Sequence, residues 1–238
     1  MLSIIVPTYN ESKNIEELLT RLFRALKPNY MQYEVIIVDD NSPDGTAQIA
    51  EALKSKFDVK VVKRPRKIGL ASAVLNGFKV AQGDVYCVMD ADLSHPPEAV
   101  LEMYKEIASG GADLVIGSRC VEGGGATNWP WYRRIVSAFA QLLAKPLINV
   151  RDNTSGFFML KKNVVENVDI NPIGFKILLE ILVKGHYSKV KELAIVFNDR
   201  EGGKSKLGSK QVLEYLKQLG ALYYGVFTGK IKRRQKNG

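Results

Sequence analysis

Short apolar runs alternate with helical repeats along the first half of the chain. Residues 3–6, 34–38, 59–62, 85–89 and 113–116 are rich in Val and Ile and have the length of buried parallel strands. Between the first two runs, Ile15, Leu18, Leu19, Leu22 and Leu26 recur at the i, i+3, i+4, i+7 spacing of an amphipathic helix, and Ile49, Leu53 and Phe57 do so less fully. Thr46 after "SPDG" and Pro97 after "SHP" read as helix starts. Strand and helix repeated in this order predict right-handed βαβ units: an α/β fold, a Rossmann-like, mostly parallel sheet flanked by helices.

In such sheets, ligands bind beyond the carboxyl ends of the strands. The polar clusters fall at those ends: "PTYNE" after the first run, "DDNSPDGT" after the second, "RPRKIGL" after the third, "DADLSHPP" after the fourth and "GSR" after the fifth. One face of the sheet is therefore expected to collect Glu11, Asp39, Asp40, Lys67, Asp90, Asp92 and Arg119.

After Arg119 the pattern loosens. "VEGGGATN" reads as a flexible loop of the kind that closes over ligands, and its glycine run is too weak for a dinucleotide fingerprint. "WPWYRRIVSAFAQLLAKPLINV" combines aromatics and arginines with an apolar face of Ile135, Phe139, Leu142 and Leu143. That face either packs on the sheet or lies at a membrane surface, where Trp, Tyr and Arg are favoured. "SGFFML" and "ELAIVF" read as strands, "FKILLEILVKG" as a helix between them, and a last helix starts near Ser209 and runs into "GKIKRRQKNG". No internal repeat is visible.

Composition narrows the class. The chain has 238 residues, 46% hydrophobic and 25% charged, which is globular and long enough for one sizeable core. A formal charge of +9 favours anionic partners without choosing among them. Cys87 and Cys120 have no metal-ligand or disulfide spacing and are expected to be reduced packing residues of a cytosolic protein. No signal peptide is expected at MLSIIVPTYNE, and no window reaches the length of a membrane span.

The chemistry concentrates in Asp90-Ala91-Asp92. In an extended segment residues i and i+2 face the same way, so both carboxylates reach one hard cation, and Mg2+ or Mn2+ so held keeps positions open for phosphate oxygens. Arg119, Arg133, Arg134, Arg200, Lys204 and Lys206 lie in loops or helix starts, and guanidinium forks take phosphates bidentately. An acidic metal pair facing several arginines suggests a diphosphate ligand. Glu11 and Asp40 could accept from the hydroxyls or N–H groups of a nucleoside.

Taken together, "IIVPTYNE", "VDDNSPDGT", "KIGLASAVLNGF", "MDADLSHPPE", "VIGSR", "DNTSGFFML", "GFKILLEIL" and "REGGKSKLG" resemble the family 2 glycosyltransferases of the GT-A fold, and among them the polyprenyl-phosphate (dolichol-phosphate) mannose synthases. The likeness runs from Ile4 to about Gly208. It implies a catalytic domain over residues 1–208, followed by a C-terminal helix and basic tail over 209–238. It implies transfer of mannose from GDP-mannose to a polyprenyl (dolichyl) monophosphate. Pro7, Tyr9, Glu11, Val38 and Asp40 would hold the guanosine, Asp90 and Asp92 the metal with Ser94 as a further ligand, and Ala91 would lie against the nucleotide. Arg119, Arg200 and Lys206 would contact phosphates, Arg133 the lipid phosphate, and Lys176 would line the site. Relatives usually read "TSGFR"; here Phe158 stands in place of that cation.

A lipid monophosphate is mostly dianionic near neutral pH and needs no general base, so His95 is expected to pack rather than to move a proton. Lys230, Lys232, Arg233, Arg234 and Lys236 crowd the end of the chain, and each contributes about 1 kcal/mol near an anionic bilayer. Peripheral binding at the cytoplasmic face of a membrane is expected, with room for a membrane-anchoring partner subunit. Two enzymatic alternatives remain open here: UDP-glucose as donor, and a haloacid-dehalogenase-like phosphohydrolase, whose D-x-D would sit on the first strand instead of the fourth. A nucleic-acid binder fits less well, because the basic residues are not interleaved with stacking aromatics.

Overall fold

The computed structural model describes residues 1–29, 31–127, 129–198 and 209–231. The five apolar runs form strands: β1 (Leu2–Thr8), β2 (Tyr33–Asp39), β3 (Val59–Lys63), β4 (Val85–Val88) and β5 (Leu114–Ser118). Every residue of β1 is buried, as expected of a central parallel strand covered on both faces. Around them run α1 (Ile15–Leu26), α2 (Thr46–Ala52), α3 (Leu70–Val80) and α4 (Ala99–Ala108). The last of these starts two residues beyond the expected Pro97, which lies in the turn that feeds it.

The second half adds β6 (Gly125–Ala126), α5 (Trp131–Ala144), β7 (Phe158–Lys161), α6 (Ile177–Lys184), β8 (Val190–Ala194), β9 (Val196–Phe197) and α7 (Ser209–Phe227). Seven strands make one sheet in the order β3-β2-β1-β4-β7-β5-β8. All its pairings are parallel except those of β7, which enters antiparallel between β4 and β5. Phe157 to Leu160 are fully buried on both sides of this insertion. The loop 121–128 is not wholly irregular: Gly125 and Ala126 pair in parallel with Val196 and Phe197. That pairing is possible because "ELAIVF", expected to be one strand, breaks at Ile195 into β8 and β9.

Alternation along the strands builds two cores. Leu2, Ile4 and Val6 meet the apolar stripe of α1 (Ile15, Leu18, Leu19, Leu22) and α4, whereas Ile5, Ile36 and Val38 meet α3 and, further along, α6 and α7. Helices cover both faces. Strand order reverses between β1 and β4, and at such a switch point the loops diverge and leave a crevice. The C-terminal helix α7 packs on this body: Tyr215, Leu219 and Leu222 are buried, and Tyr215 and Tyr223 donate hydroxyl hydrogen bonds to the carbonyls of Ala140 and Leu143 on α5. Among the described residues no helix is long and apolar enough to cross a membrane.

Candidate active site

A cleft of about 990 Å³ opens at the carboxyl ends of β1, β2, β4 and β5. Its first wall comes from β1 and β2. Pro7, Tyr9 and Glu11 line it, with Lys67 Nζ 3.5 Å above the Tyr9 ring. Glu11 accepts a hydrogen bond from Asn14 Nδ2 at 2.7 Å. The neighbouring aspartates have separate tasks. Asp39, expected on this face, does not line the cleft: it accepts from Thr8 Oγ1, Ser42 N and Ser42 Oγ and so staples the ends of β1 and β2 together. Asp40 does line it, but Oδ1 is engaged by Arg64 Nη1 at 2.7 Å and Oδ2 by the N–H groups of Ile68 and Gly69 at 3.0 and 2.7 Å. Gly69 has φ +121°, a conformation only glycine adopts easily. Val38, expected to contact the nucleoside, is instead fully buried in the same core as Val74 and does not line the cleft, because helices cover both faces of β2.

The second wall is the turn after β4. Asp90, Ala91 and Asp92 all line the cleft. Leu93 takes φ +59°, which folds the chain back so that Ser94 donates both its N–H (3.1 Å) and its hydroxyl (2.5 Å) to Asp92 Oδ1. Ser94 is itself buried and does not line the cleft; its two donations hold Asp92 Oδ1 in place. His95 packs, as expected. Its ring stacks on Phe157 with centroids 5.2 Å apart, Nδ1 accepts the Asp90 N–H at 3.2 Å, and burial pushes its pKa down. Gly156 leaves room for Asp90: a Cβ there would sit 3.3 Å from both Asp90 Oδ2 and His95 Cε1.

The third wall is cationic. Arg119, just past β5, is forked by the fully buried Asp152: Nε to Oδ2 at 2.8 Å, Nη2 to Oδ1 at 2.7 Å, and the Arg119 N–H to Oδ2 at 3.0 Å. Burial opposes the charge of each partner, but the pairing outweighs it, holding the arginine pKa up and the aspartate pKa down. Trp129 lies between two arginines, 5.1 Å from the Arg119 guanidinium and 4.3 Å from that of Arg133. Lys176, at the start of α6, donates to the Thr154 carbonyl at 2.5 Å, and burial, seconded by Arg119, lowers its pKa to about 8. Phe158 is buried in β7, so among the described residues Lys176, Arg119 and Arg133 supply the positive charge of this wall.

Of the expected site residues, Pro7, Tyr9, Glu11, Asp40, Asp90, Ala91, Asp92, Arg119, Arg133 and Lys176 come together around this one cleft. Arg200 and Lys206, with Lys204, lie outside the described residues. Sequence reasoning did not assign Arg64, Trp129, Asp152, Thr154, Gly156 or Glu192. Several stood inside motifs already quoted, "RPRKIGL" and "DNTSGFFML", but their charged or carboxylate partners lie far along the chain, 24 residues for Arg64 and Asp40, 33 for Arg119 and Asp152 and 40 for Asp152 and Glu192, and no local spacing marks them.

The glycosyl transferase family 2 model matches residues 3–169. The chain belongs to this family. It is 51% identical to a dolichol-phosphate mannosyltransferase of Pyrococcus furiosus over 91% of its own length, and it spans 62% of that relative. It is 41% identical to the dolichol-phosphate mannosyltransferase of Saccharomyces cerevisiae, covering 93% of this chain and 86% of that one. A mannosyltransferase from Pyrobaculum calidifontis, solved with GDP-Man and Mn2+, shares the fold at TM-score 0.62 and 20% identity, covering 94% of this glycosyltransferase and 64% of that chain. The family 2 enzyme thus carries its cleft at the sheet's switch point, and its β1 ends at Thr8 and is followed by Tyr9 and Asn10, not by the aspartate that a haloacid-dehalogenase-like phosphohydrolase would need there.

Proposed function

We propose that this glycosyltransferase moves mannose from GDP-mannose to the phosphate of a polyprenyl (dolichyl) monophosphate. The observation that carries the reading is a single cleft with a carboxylate pair on one wall, three cations on the other, and an apolar continuation formed by Val136, Phe139, Leu143, Tyr215 and Leu216. A nucleoside diphosphate needs the first two features, and an isoprenoid chain needs the third. The names of the relatives agree with this substrate pair.

The donor set fits a divalent cation. Asp90 and Asp92 offer hard oxygen ligands, Ser94 holds one of them in place, and Gly156 leaves space at the other. Among the described residues no group of three or more His, Cys, Asp or Glu side chains is placed to hold a metal ion, so Mg2+ or Mn2+ held by this pair would take its remaining ligands from phosphate oxygens and water. When bound, such a cation supplies charge neutralisation for a departing diphosphate.

The protein's own residues do the rest. The wall of Pro7, Tyr9 and Glu11 receives the nucleoside. Arg119 and Lys176 draw the donor phosphates, and Arg133 draws the acceptor phosphate, offsetting repulsion between two anionic substrates. An acceptor oxygen attacks the anomeric carbon from the face opposite the diphosphate; the new C–O bond forms as the old one breaks, and its electron pair leaves with GDP. The configuration inverts. No proton is transferred, so neither Glu11 nor His95 is required as a base.

The acceptor's tail implies a bilayer, and α5 presents the means to meet one. Trp131, Ile135, Phe139 and Leu142 are 74%, 59%, 59% and 60% exposed, beside Arg134 and Lys145. Aromatic, aliphatic and basic groups so mixed favour the headgroup boundary, in line with a peripheral enzyme at the cytoplasmic face.

The test is incubation with Mg2+ or Mn2+, a polyprenyl phosphate and a panel of nucleotide sugars. Transfer from GDP-mannose, abolished by Asp92→Ala and by a chelator, is the expected result. Transfer from UDP-glucose alone, or activity that survives the chelator, would overturn the donor or the metal assignment respectively.

A further inference from the structure

We infer that Asp152 is a positioning residue that presents Arg119 to the phosphates, an inference that rests on the transfer reaction proposed above. Every hydrogen bond that Arg119 makes through its guanidinium uses Nε or Nη2: both go to Asp152, and Nη2 also reaches Thr154 Oγ1 at 3.2 Å. Nη1 makes no hydrogen bond among the described residues. Asp152 thus consumes one edge of the fork and leaves the other for a ligand in the cleft that Arg119 lines.

The support continues one layer outward. Glu192 on β8 accepts the Asp152 N–H at 2.9 Å and the Ser118 hydroxyl at 2.8 Å through Oε1, and the Arg151 N–H at 2.8 Å through Oε2. Two strands and the loop before β7 are locked around one carboxylate. Two residues beyond Asp152, the Thr154 carbonyl accepts from Lys176, so one turn of chain orders both cations. An arginine whose plane is fixed in advance loses little freedom when it meets a phosphate, and misplacing such a group by about 1 Å costs on the order of 100-fold in rate.

Asp152→Asn keeps the shape, removes the charge and sets an amide N–H2 against the fork. In the wild-type background kcat/KM for mannosyl transfer should fall about 30- to 100-fold; in the Arg119→Ala background the same substitution should cost less than about threefold, because the two residues act as one unit. Equal losses in both backgrounds, or no loss in either, would overturn the inference. Glu192→Gln is the second variant, used in the same cycle should Asp152→Asn melt below the assay temperature; its loss must also vanish without Arg119. The cycle is run in parallel on the affinity for inorganic diphosphate by calorimetry. A chain that transfers no mannose would then overturn the reaction while the binding cycle still decides the role of Asp152.

Discussion

Ser94 donates twice to a single oxygen of Asp92, from its backbone N–H and from its hydroxyl. This double contact, made possible by the left-handed turn at Leu93, aims one of the two carboxylates at the cleft. Ser94→Ala removes the hydroxyl and leaves the fold. Groups that orient a metal ligand typically contribute 10- to 100-fold in metal affinity or activity; the expected outcome is about a tenfold rise in the Mn2+ concentration for half-maximal transfer, with near-normal turnover at saturating metal. Complete loss at all metal concentrations would show Ser94 to be a ligand itself.

Asp40 and Arg64 form a pair in which both side chains are almost sealed from water, 5% and 4% exposed. Removing one partner strands the other charge. Asp40→Ala is therefore expected to cost about 3–5 kcal/mol in denaturant unfolding, and it also frees the N–H groups of Ile68 and Gly69. A change under about 1 kcal/mol would mean that water reaches Arg64 readily.

Gly156 sits where any Cβ would press on Asp90 and on the His95 ring at 3.3 Å. The ring is stacked on Phe157 and has little room to yield. The displacement in Gly156→Ala falls on the carboxylate, and a rate loss of roughly tenfold follows from a shift of a few tenths of an ångström. Steady-state kinetics beside a thermal melt separate this from unfolding: the melt should move little.

Lys176 has a pKa of about 8 in the free enzyme, lowered first by burial and then by Arg119. It is charged below that value and neutral above it. Since kcat/KM reports the free enzyme, it should decline as pH rises through about 8, and Lys176→Arg, which stays charged, should remove that decline even if its maximum is lower. Stability runs the other way. The unfolded chain binds this proton up to the ordinary lysine value of 10.5 while the folded one has released it by about 8, so folding gains with rising pH across that window.

Phe139 and Leu142 expose their side chains on α5 without being needed for the core. Phe139→Glu with Leu142→Glu should leave the melting temperature within a few degrees and reduce flotation with anionic liposomes several-fold, since each loses apolar burial at the boundary. Unchanged flotation would move the membrane contact elsewhere on the protein.

Much of this was legible locally. The β1 to β5 runs, the α1 stripe and the change from apolar to polar at each strand end are properties of neighbouring residues, and the Asp90–Asp92 pair needs only the two-residue period of an extended chain. Val38 shows the limit of that reading. Its position in "VDDNSPDGT" places it beside the nucleoside wall, yet β2 is covered on both faces and Val38 falls in the layer that α3 closes. Asp39 and Asp40 are adjacent and chemically identical in the sequence; one staples two strands and the other holds a loop, according to which partner the fold delivers.

The sequence by itself determined the order of strands and helices, the gathering of charge at one edge of a sheet, and the carboxylate pair, because each depends on periodicities of a few residues. Only the tertiary structure decided that β7 runs antiparallel between β4 and β5, that Asp152 grips Arg119 across 33 residues, and that Ile135, Phe139 and Leu142 of α5 stay in the open. Those outcomes are choices among distant partners. They are settled by which surfaces pack together, and no local spacing encodes them.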